Sequence, residues 1–306
     1  MIASLFTRER GRFPLKKISR ARILAAAAVC ALAAAVGIIH MAATSPSALA
    51  ASAESGVPLP ILMYHSILRD PAKTGAYVIR PESVEADLIW LRDHGYETVT
   101  VADLLAYVAD GTPLPERPVM ITLDDGNLNN ATYLLPLLEK YDMRAVISVV
   151  GSYCEAYSAH PDPNPAYAYL SWAELRALDE SGRVEIQNHS YDMHRLTGRA
   201  GAGRIPGEDD SAYRRALTAD ARRTQQLLAD CCGIRPTAYV YPYGNRGQGA
   251  DAILADMGFR CTMTCEERVN RITRDPQSLF SLGRYNRSGL VSTGEIMRKI
   301  FGEPVE

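Results

Sequence analysis

The sequence predicts an α/β fold in which a parallel sheet closes into a distorted (β/α) barrel of about seven strands. Short apolar segments alternate along the chain with segments of helical periodicity, which is typical of strands connected by helices. Roughly 250 residues follow the N-terminal region without an internal repeat, a length that suits one α/β domain. Polar side chains directly follow several apolar segments, as catalytic groups do at the carboxyl ends of barrel strands.

Residues 1–50 are predicted to lie outside this fold. Seven Lys and Arg side chains precede an uncharged run from Ile23 to Ile39, and the triplet Ala48-Leu49-Ala50 fits a small-residue cleavage site. The run is slightly long for the core of a cleaved export signal and slightly short for a membrane span, which needs ~20 apolar residues. A cleaved export signal and an uncleaved anchor therefore both remain open. Cationic residues on the amino side keep that end in the cytoplasm. The remaining domain is therefore expected to be exported, extracellular or at the cell surface, with membrane contact only through the N-terminal segment.

Removing residues 1–50 changes the charge of the chain. The whole sequence has a net charge of −2, but the remaining 256 residues hold 26 basic and 34 acidic groups, a net charge of −8. An acidic exported domain is a poor candidate for binding nucleic acid or anionic polymers. A neutral substrate fits better.

Residues 51–58 are predicted to be a small-residue linker, and residues 59–306 the catalytic domain. Six largely apolar runs in this domain have the length of buried strands. In chain order they are Pro60–His65, Val119–Leu123, Ala145–Val150, Val184–Asn188, Ala238–Tyr241 and Cys261–Thr264.

Helices are predicted between and after these runs because apolar residues recur there at helical spacing. Ser171 and Glu174 form a capping box that opens one of them, which is expected to extend to about Glu180. The other predicted helices are Ser83–His94, Ala131–Tyr141, Ala212–Cys231, Gly249–Met257 and Thr293–Phe301. About seven strand–helix units in one domain favour a closed or partly closed barrel.

Two adjacent carboxylates, Asp124 and Asp125, follow the apolar run Val119–Leu123 and precede Gly126. Neighbouring like charges at the end of a buried strand disfavour each other's ionised form unless positive charge lies beside them. A divalent metal meets that need, with one carboxylate as ligand and the other as base. An Asp-Asp-Gly turn is also common without any function.

His189 and His194 are the candidate partners of the carboxylates. Positions five apart do not share a helix face, so both histidines are expected on a loop after the strand Val184–Asn188. Together with Asp125 they supply the three protein ligands of a catalytic metal, and Asp124 then serves as base. This ligand set suits zinc, although cobalt, nickel, manganese or iron also accept mixed nitrogen and oxygen ligands.

Further site candidates lie at other strand ends. The turn Tyr241-Pro242-Tyr243-Gly244 could donate backbone N–H groups to an oxyanion, although by itself it is more typical of a plain turn. His65 either hydrogen-bonds into the metal site or simply ends its strand.

Two longer segments and the cysteines are also informative. Residues 151–171 carry four tyrosines (Tyr153, Tyr157, Tyr167 and Tyr169), which suit either sugar rings or local packing. Residues 195–212 are predicted to be a mobile excursion near the site.

The odd number of cysteines after residue 50 does not describe a disulfide scaffold. A Cys261–Cys265 bond and two free thiols both remain open.

These motifs together resemble the polysaccharide deacetylase (NodB-homology) carbohydrate esterases. The resemblance covers roughly residues 58–300, with the motifs in the family's order: Ile-Leu-Met-Tyr-His at 61–65, Leu-Asp-Asp-Gly at 123–126, His-Ser at 189–190 with His194, and Tyr-Pro-Tyr-Gly at 241–244. It implies a distorted barrel of the deacetylase type and metal-dependent removal of N-acetyl groups from a cell-wall or extracellular glycan. Peptidoglycan and N-acetylglucosamine polymers are the implied substrates.

The resemblance also implies roles for individual residues. Asp124 would be the base, and Asp125, His189 and His194 the metal ligands. The Tyr243 backbone would line the oxyanion site, with Tyr241 and Pro242 at the substrate.

The sequence departs from the family pattern in three places. The histidines are five rather than four positions apart, so Asp192 is an alternative ligand. Val240 and Tyr241 stand where an arginine commonly lies near the Pro-Tyr turn. The late Leu-x-His segment that supplies the general acid is absent, because residues 282–287 contain no histidine. Arg284 in that stretch is a candidate for binding substrate or for orienting Asp124.

Two alternatives to the deacetylase remain open. The missing general acid favours a non-catalytic, glycan-binding member of the same fold. A metal amidase that acts on a non-sugar C–N bond would use the same ligands.

Overall fold

The computed structural model describes residues 56–302. The predicted signal or anchor at residues 1–50 and most of the predicted linker lie outside this range. Within it, no helix combines the length and the hydropathy needed to cross a bilayer.

Twelve short strands and eight α-helices make up the described part of the chain. The strands are β1 (Val57–Leu59), β2 (Ile61–Tyr64), β3 (Ser66–Ile67), β4 (Val78–Ile79), β5 (Glu97–Thr98), β6 (Pro118–Leu123), β7 (Ala145–Val149), β8 (Val184–Asn188), β9 (Ala238–Val240), β10 (Cys261–Met263), β11 (Asn270–Ile272) and β12 (Tyr285–Asn286). The helices are α1 (Pro81–Asp93), α2 (Val101–Asp110), α3 (Leu135–Tyr141), α4 (Gly151–Ala159), α5 (Trp172–Glu180), α6 (Asp210–Cys232), α7 (Ala250–Asp256) and α8 (Thr293–Phe301).

Seven of these strands form one curled parallel sheet in the order β10-β9-β8-β7-β6-β2-β12. The central strands β6 and β7 are buried along their whole length. Continuous burial explains why their sequences are almost entirely apolar rather than alternating, because helices cover the outer face. The predicted fold, a distorted parallel barrel of about seven strands, is confirmed.

The two edges of the sheet meet at one segment of chain, residues 282–286. Leu282 forms a parallel bridge with Met263 of β10, and the N–H of Thr264 donates to the Leu282 carbonyl at 2.7 Å. Three residues later β12 pairs in parallel with β2. One short segment therefore pairs with β10 through its first part and with β2 through its second, which distorts the barrel as it closes.

The six predicted strands and all the predicted helices are present, with ends shifted by a few residues. Six strands are absent from the prediction, because they have only two or three residues each and carry no readable periodicity: β1, β3, β4, β5, β11 and β12. Helix α2, which begins at a capping box of Thr100 and Asp103, is not predicted either. Helix α4, for which no prediction was made, occupies the start of the tyrosine-rich segment 151–171.

Residues 195–212 are held against helix α6. Ala202 is buried, and its carbonyl accepts a hydrogen bond of 2.7 Å from the Tyr213 hydroxyl. Arg199 forms an ion pair with Glu208 within the segment. The predicted mobility of this excursion stays a prediction, but the segment has defined anchors.

All five cysteines of the described residues are free thiols. The alternative of a Cys261–Cys265 disulfide is therefore wrong. Cys261 is buried in the sheet, whereas Cys265 lies beyond the end of β10.

A buried ion pair fastens α1 to the end of the barrel. Arg287 donates from Nε to Asp87 Oδ2 at 2.7 Å and from Nη2 to Oδ1 at 3.1 Å. The hydroxyls of Tyr64 and Thr293 donate to the same carboxylate at 2.9 and 2.7 Å. Asp87 thus joins α1, β2, the residue after β12 and the start of α8.

Replacing Asp87 by alanine should destabilise the fold by about 3–5 kcal/mol, because it leaves a buried guanidinium without its counter-charge. Urea unfolding measures the loss. The control is Glu82→Ala, which removes an exposed ion pair with Arg80 and should cost at most about 1 kcal/mol. A loss for Asp87→Ala no larger than that of the control would contradict the assigned role.

Candidate metal centre

The candidate site lies at the carboxyl ends of β6 and β8, which flank β7 in the sheet. Asp124 and Asp125 follow β6, and His189 follows β8. Asp125 adopts a left-handed backbone conformation (φ 73°), as does Gly126 (φ 76°). A side chain at Gly126 would lie 2.9 Å from Val149, so glycine lets the turn pass close to β7. This turn separates the two carboxylates.

Asp125, His189 and His194 converge on one point. Asp125 Oδ1 lies 3.0 Å from Nε2 of His194 and 3.6 Å from Nε2 of His189. One ligand atom from each of the three residues lies within 4.8 Å of the others. Asp125 Oδ1 is buried and has no hydrogen-bond partner, so neither imidazole contact has hydrogen-bond geometry. A buried carboxylate oxygen without a donor is expected to have a cation beside it.

The ring of His189 is fixed so that it presents a lone pair to this point. Its Nδ1 lies 2.8 Å from the Val240 carbonyl, which can only accept, so Nδ1 carries the hydrogen and Nε2 does not. Burial lowers the pKa of His189 below its ordinary value, which keeps the imidazole neutral. An imidazole lone pair and a carboxylate oxygen therefore face each other, and this arrangement fits a divalent cation.

His194 is oriented by two tyrosine hydroxyls. Its Nδ1 lies 3.3 Å from the hydroxyl of Tyr243 and 3.4 Å from that of Tyr153. Burial would lower the pKa of His194, but its contact with Asp125 outweighs burial and the pKa is raised. The carboxylate of Asp125 thus favours positive charge at this position.

Asp124 is kept apart from the cluster by an arginine. Arg284 donates from Nη1 to Oδ1 and from Nη2 to Oδ2, each at 2.7 Å, and the Ser148 hydroxyl donates to Oδ1 at 2.8 Å. Burial alone would raise the pKa of Asp124, but the charge of Arg284 reverses this and holds it well below the usual range. Asp124 is therefore a fixed, ionised carboxylate beside the candidate metal position.

The three candidate ligands and Asp124 line a cavity of about 570 Å³. Six of the residues singled out in the sequence meet there: His65, Asp124, Asp125, His189, His194 and Tyr243. Tyr243 adopts a left-handed conformation (φ 58°) in the turn Pro242–Gly244, and its side chain remains partly exposed.

Four other candidates do not line the cavity. Arg284 is fully buried against Asp124, and Tyr241 is fully buried with its hydroxyl donating to Asp251 at 2.7 Å. Pro242 is buried as well, and Asp192 forms an ion pair with Arg195. The side chains of Arg284 and Tyr241 are therefore not placed to touch a substrate, and the alternative that Arg284 orients Asp124 agrees with the geometry.

Five further residues line the cavity and are not among the predicted site residues: Met63, Tyr77, Leu196, Cys265 and Asn286. Tyr77 and Asn286 lie beside or within two-residue strands, where the sequence carries no pattern. Ser148, which bonds to Asp124, could have been found, because it is the single polar residue of the apolar strand β7.

The tyrosines of the α4 region cluster beside His194. The ring of Tyr153 lies 4.5 Å from that of Tyr169, which lies 5.6 Å from Tyr157. Tyr167 is more than half exposed. Local packing accounts for the first three rings, and contact with a glycan stays a prediction.

Residues 111–262 match the model of the protein family described as "Polysaccharide deacetylase". The chain is 30% identical over 231 residues to YxkH of Bacillus subtilis (strain 168), whose name assigns it to the same family; the match covers 76% of this chain and 72% of YxkH. It is 24% identical over 227 residues to the poly-beta-1,6-N-acetyl-D-glucosamine N-deacetylase of Escherichia coli (strain K12). That match covers 67% of this chain but only 33% of the longer relative.

A solved structure has the same fold. A de-N-acetylase from Aggregatibacter actinomycetemcomitans superimposes with a TM-score of 0.67 at 23% sequence identity, over 77% of this chain and 97% of the other.

Replacing Asp125, His189 or His194 by alanine should weaken zinc binding by more than the 10- to 100-fold that changes behind the ligands typically cause. Metal analysis of the purified protein after dialysis measures the loss. Asp192→Ala is the control, because that carboxylate pairs with Arg195 outside the cluster and should leave the metal content unchanged. Loss of metal in Asp192→Ala with retention in His194→Ala would exchange the roles of these two residues.

Proposed function

The chain belongs to the polysaccharide deacetylase family, and we propose that it is a metal-dependent hydrolase that removes N-acetyl groups from a polymer of N-acetylglucosamine. The observation that carries the proposal is the cluster of Asp125, His189 and His194 beside the ionised Asp124 in one cavity. The names of the relatives favour β-1,6-linked N-acetylglucosamine polymers as the first substrate to test.

Asp125, His189 and His194 would hold the metal, and zinc is the first candidate for this ligand set. Such a cation supplies Lewis acidity, since it polarises the acetamide carbonyl and acidifies water at the site. Asp124 lies beside the cluster and has two roles available to it. It orients the attacking water by hydrogen bonding and accepts the proton that the water loses.

The strength of Asp124 as a base is set by Arg284. Because the guanidinium holds the pKa of this carboxyl well below its usual range, Asp124 is a weak base. The carboxylate of Asp124 is therefore held in its ionised form, in which it can accept a proton.

Stabilisation of the tetrahedral intermediate is assigned to the turn at Tyr243. Backbone N–H groups that are held in place before the reaction stabilise a developing oxyanion more effectively than mobile donors do. Tyr243 adopts a left-handed conformation in this turn and lines the cavity. Tyr241 and Pro242 anchor the turn in the protein interior, since both are buried.

His65 is the proposed donor of the proton to the leaving amine. Among the cavity-lining residues it is the one imidazole outside the cluster, and its Nδ1 is buried without a hydrogen-bond partner. The ring of Tyr77 packs edge-on against it with the centroids 4.8 Å apart, which restricts its rotation. His65 would then replace the histidine that is absent from residues 282–287.

This assignment weakens the non-catalytic alternative, whose support was the missing general acid. The same proposal places the domain outside the cytoplasmic membrane, because the basic residues and the apolar run within residues 1–50 fit an export signal or an anchor. A neutral acetylated glycan also suits the acidic charge of the domain.

The zinc-loaded protein should release acetate from oligomers of β-1,6-linked N-acetylglucosamine, and a chelator should abolish the release. Asp124→Asn should lower kcat by about 10²–10⁴-fold, the usual contribution of a general base, with the metal content unchanged. Coupled detection of acetate measures the rate. No acetate from β-1,6-linked, chitin-type or peptidoglycan substrates with the metal loaded would sink the proposal.

His65→Gln should lower kcat on the acetamide substrate by about 10²–10⁴-fold, because an amine must be protonated as it leaves. The same variant should hydrolyse an activated aryl acetate at close to the wild-type rate, because a phenolate leaves without a proton. His94→Gln is the matched control, since His94 stacks on Trp90 away from the cavity. Equal losses on both substrates would remove His65 from the role of proton donor.

A further inference from the structure

We propose that Asp220 and Thr224 of helix α6 are positioning residues of the metal centre, which hold the loop between His189 and His194 so that both imidazoles reach Asp125. The inference rests on the proposed function only in taking the Asp125–His189–His194 cluster as a metal site. Neither residue lines the cavity, and neither was singled out by the sequence motifs.

The loop needs an external support because it contains a strained step. Ser190 adopts a left-handed conformation (φ 74°), which residues other than glycine rarely adopt. Its N–H donates to Asn188 Oδ1 at 2.8 Å, which stabilises the reversal locally. The five-residue step from His189 to His194 begins with this reversal, so the position of His194 depends on how firmly the following backbone is held.

Asp220 holds that backbone with both of its carboxylate oxygens. Oδ1 accepts the N–H of Tyr191 and Oδ2 accepts the N–H of Asp192, each at 2.8 Å. Two adjacent N–H groups bound to one carboxylate fix the orientation of both peptide planes. Hydrogen bonds to an ionised acceptor are stronger than those between neutral groups.

Thr224, one helical turn further along α6, holds the carbonyl of the strained residue. Its hydroxyl donates to the Ser190 carbonyl at 2.9 Å, and the N–H of Gly151 donates to the same oxygen at 2.9 Å. On the other side of the loop, the N–H of Ser152 donates to the Tyr191 carbonyl at 3.0 Å. The backbone of residues 190–192 is therefore bonded to α6 on one side and to the start of α4 on the other.

The close approach of α4 and α6 depends on Gly151. A β-carbon at this position would collide with the Thr224 hydroxyl and press on the ring of Tyr191. The two helices and the loop are thus packed at a distance that only glycine allows, and Asp220 and Thr224 act at that junction.

Asparagine cannot replace Asp220 in this arrangement. An amide has one acceptor oxygen, so one of the two N–H groups would face an NH₂ donor instead of an oxygen. The variant Asp220→Asn preserves the shape of the side chain and removes one hydrogen bond. It is therefore a selective test of the position of the loop.

The test measures Co²⁺ binding to the metal-free protein by chelator competition, together with the visible absorption spectrum of the Co²⁺ form. Asp220→Asn should weaken Co²⁺ binding about tenfold or more and change the spectrum, because His194 is no longer held at the ligand position. Asp209→Asn is the matched control. Asp209 caps the same helix by accepting the N–H of Ala212 at 2.7 Å and does not touch the loop, so its Co²⁺ affinity and spectrum should stay those of the wild type.

Wild-type affinity and spectrum in Asp220→Asn would overturn the proposal. If this variant does not fold, Thr224→Val tests the same support, because it removes the hydroxyl bound to Ser190 and keeps the volume of the side chain. Unchanged Co²⁺ affinity in a folded Thr224→Val protein would then overturn it. A wild-type protein that binds Co²⁺ tightly but releases no acetate would contradict the proposed function and leave the positioning role standing.

Discussion

The arrangement of the site depends on the buried ion pair between Asp124 and Arg284. Two adjacent carboxylates follow β6, and their charges cannot both be buried without compensation. Arg284 compensates the first through two hydrogen bonds of 2.7 Å, which leaves the second, Asp125, to the histidines and to the cation that their geometry fits. One pair of neighbouring aspartates is thus divided into two chemically different groups. The division also gives each of them a fixed partner before any substrate arrives.

The two histidines are also held by partners at their Nδ1 atoms, which face away from the cluster. The carbonyl of Val240 fixes the tautomer of His189, and two tyrosine hydroxyls orient His194. Each of these partners lies on a different element from the histidine that it holds. The geometry of the candidate ligands is therefore a property of several elements taken together rather than of one loop, as is usual where outer partners orient metal ligands.

Elements and site residues could be predicted from the sequence where several neighbouring residues meet the same physical requirement. The buried strands, the capping box at Ser171 and the polar groups after β6 and β8 all have such patterns. Arg284 did not, because a charged side chain is expected at the surface unless it is paired, and its partner lies 160 residues away in the chain. The position of the Tyr241 side chain could not be predicted for a related reason, because the side chains of a turn can point to either side. The two-residue strands carry too few positions for any periodicity.

The segment that closes the barrel has a consequence for the order in which the protein can fold. Residues 282–286 pair with β10 and β2, so the sheet cannot close until nearly the whole chain is available. Arg284 lies in this segment, and Asp124 has no compensating charge until it docks. Arg284 and Asp124 are 160 residues apart in the chain, and the loop-closure entropy of contacts between such distant residues slows their formation. The ion pair of Asp124, the proposed base, with Arg284 therefore depends on closure of the barrel, and a chain in which residues 282–286 have not docked would lack this pair.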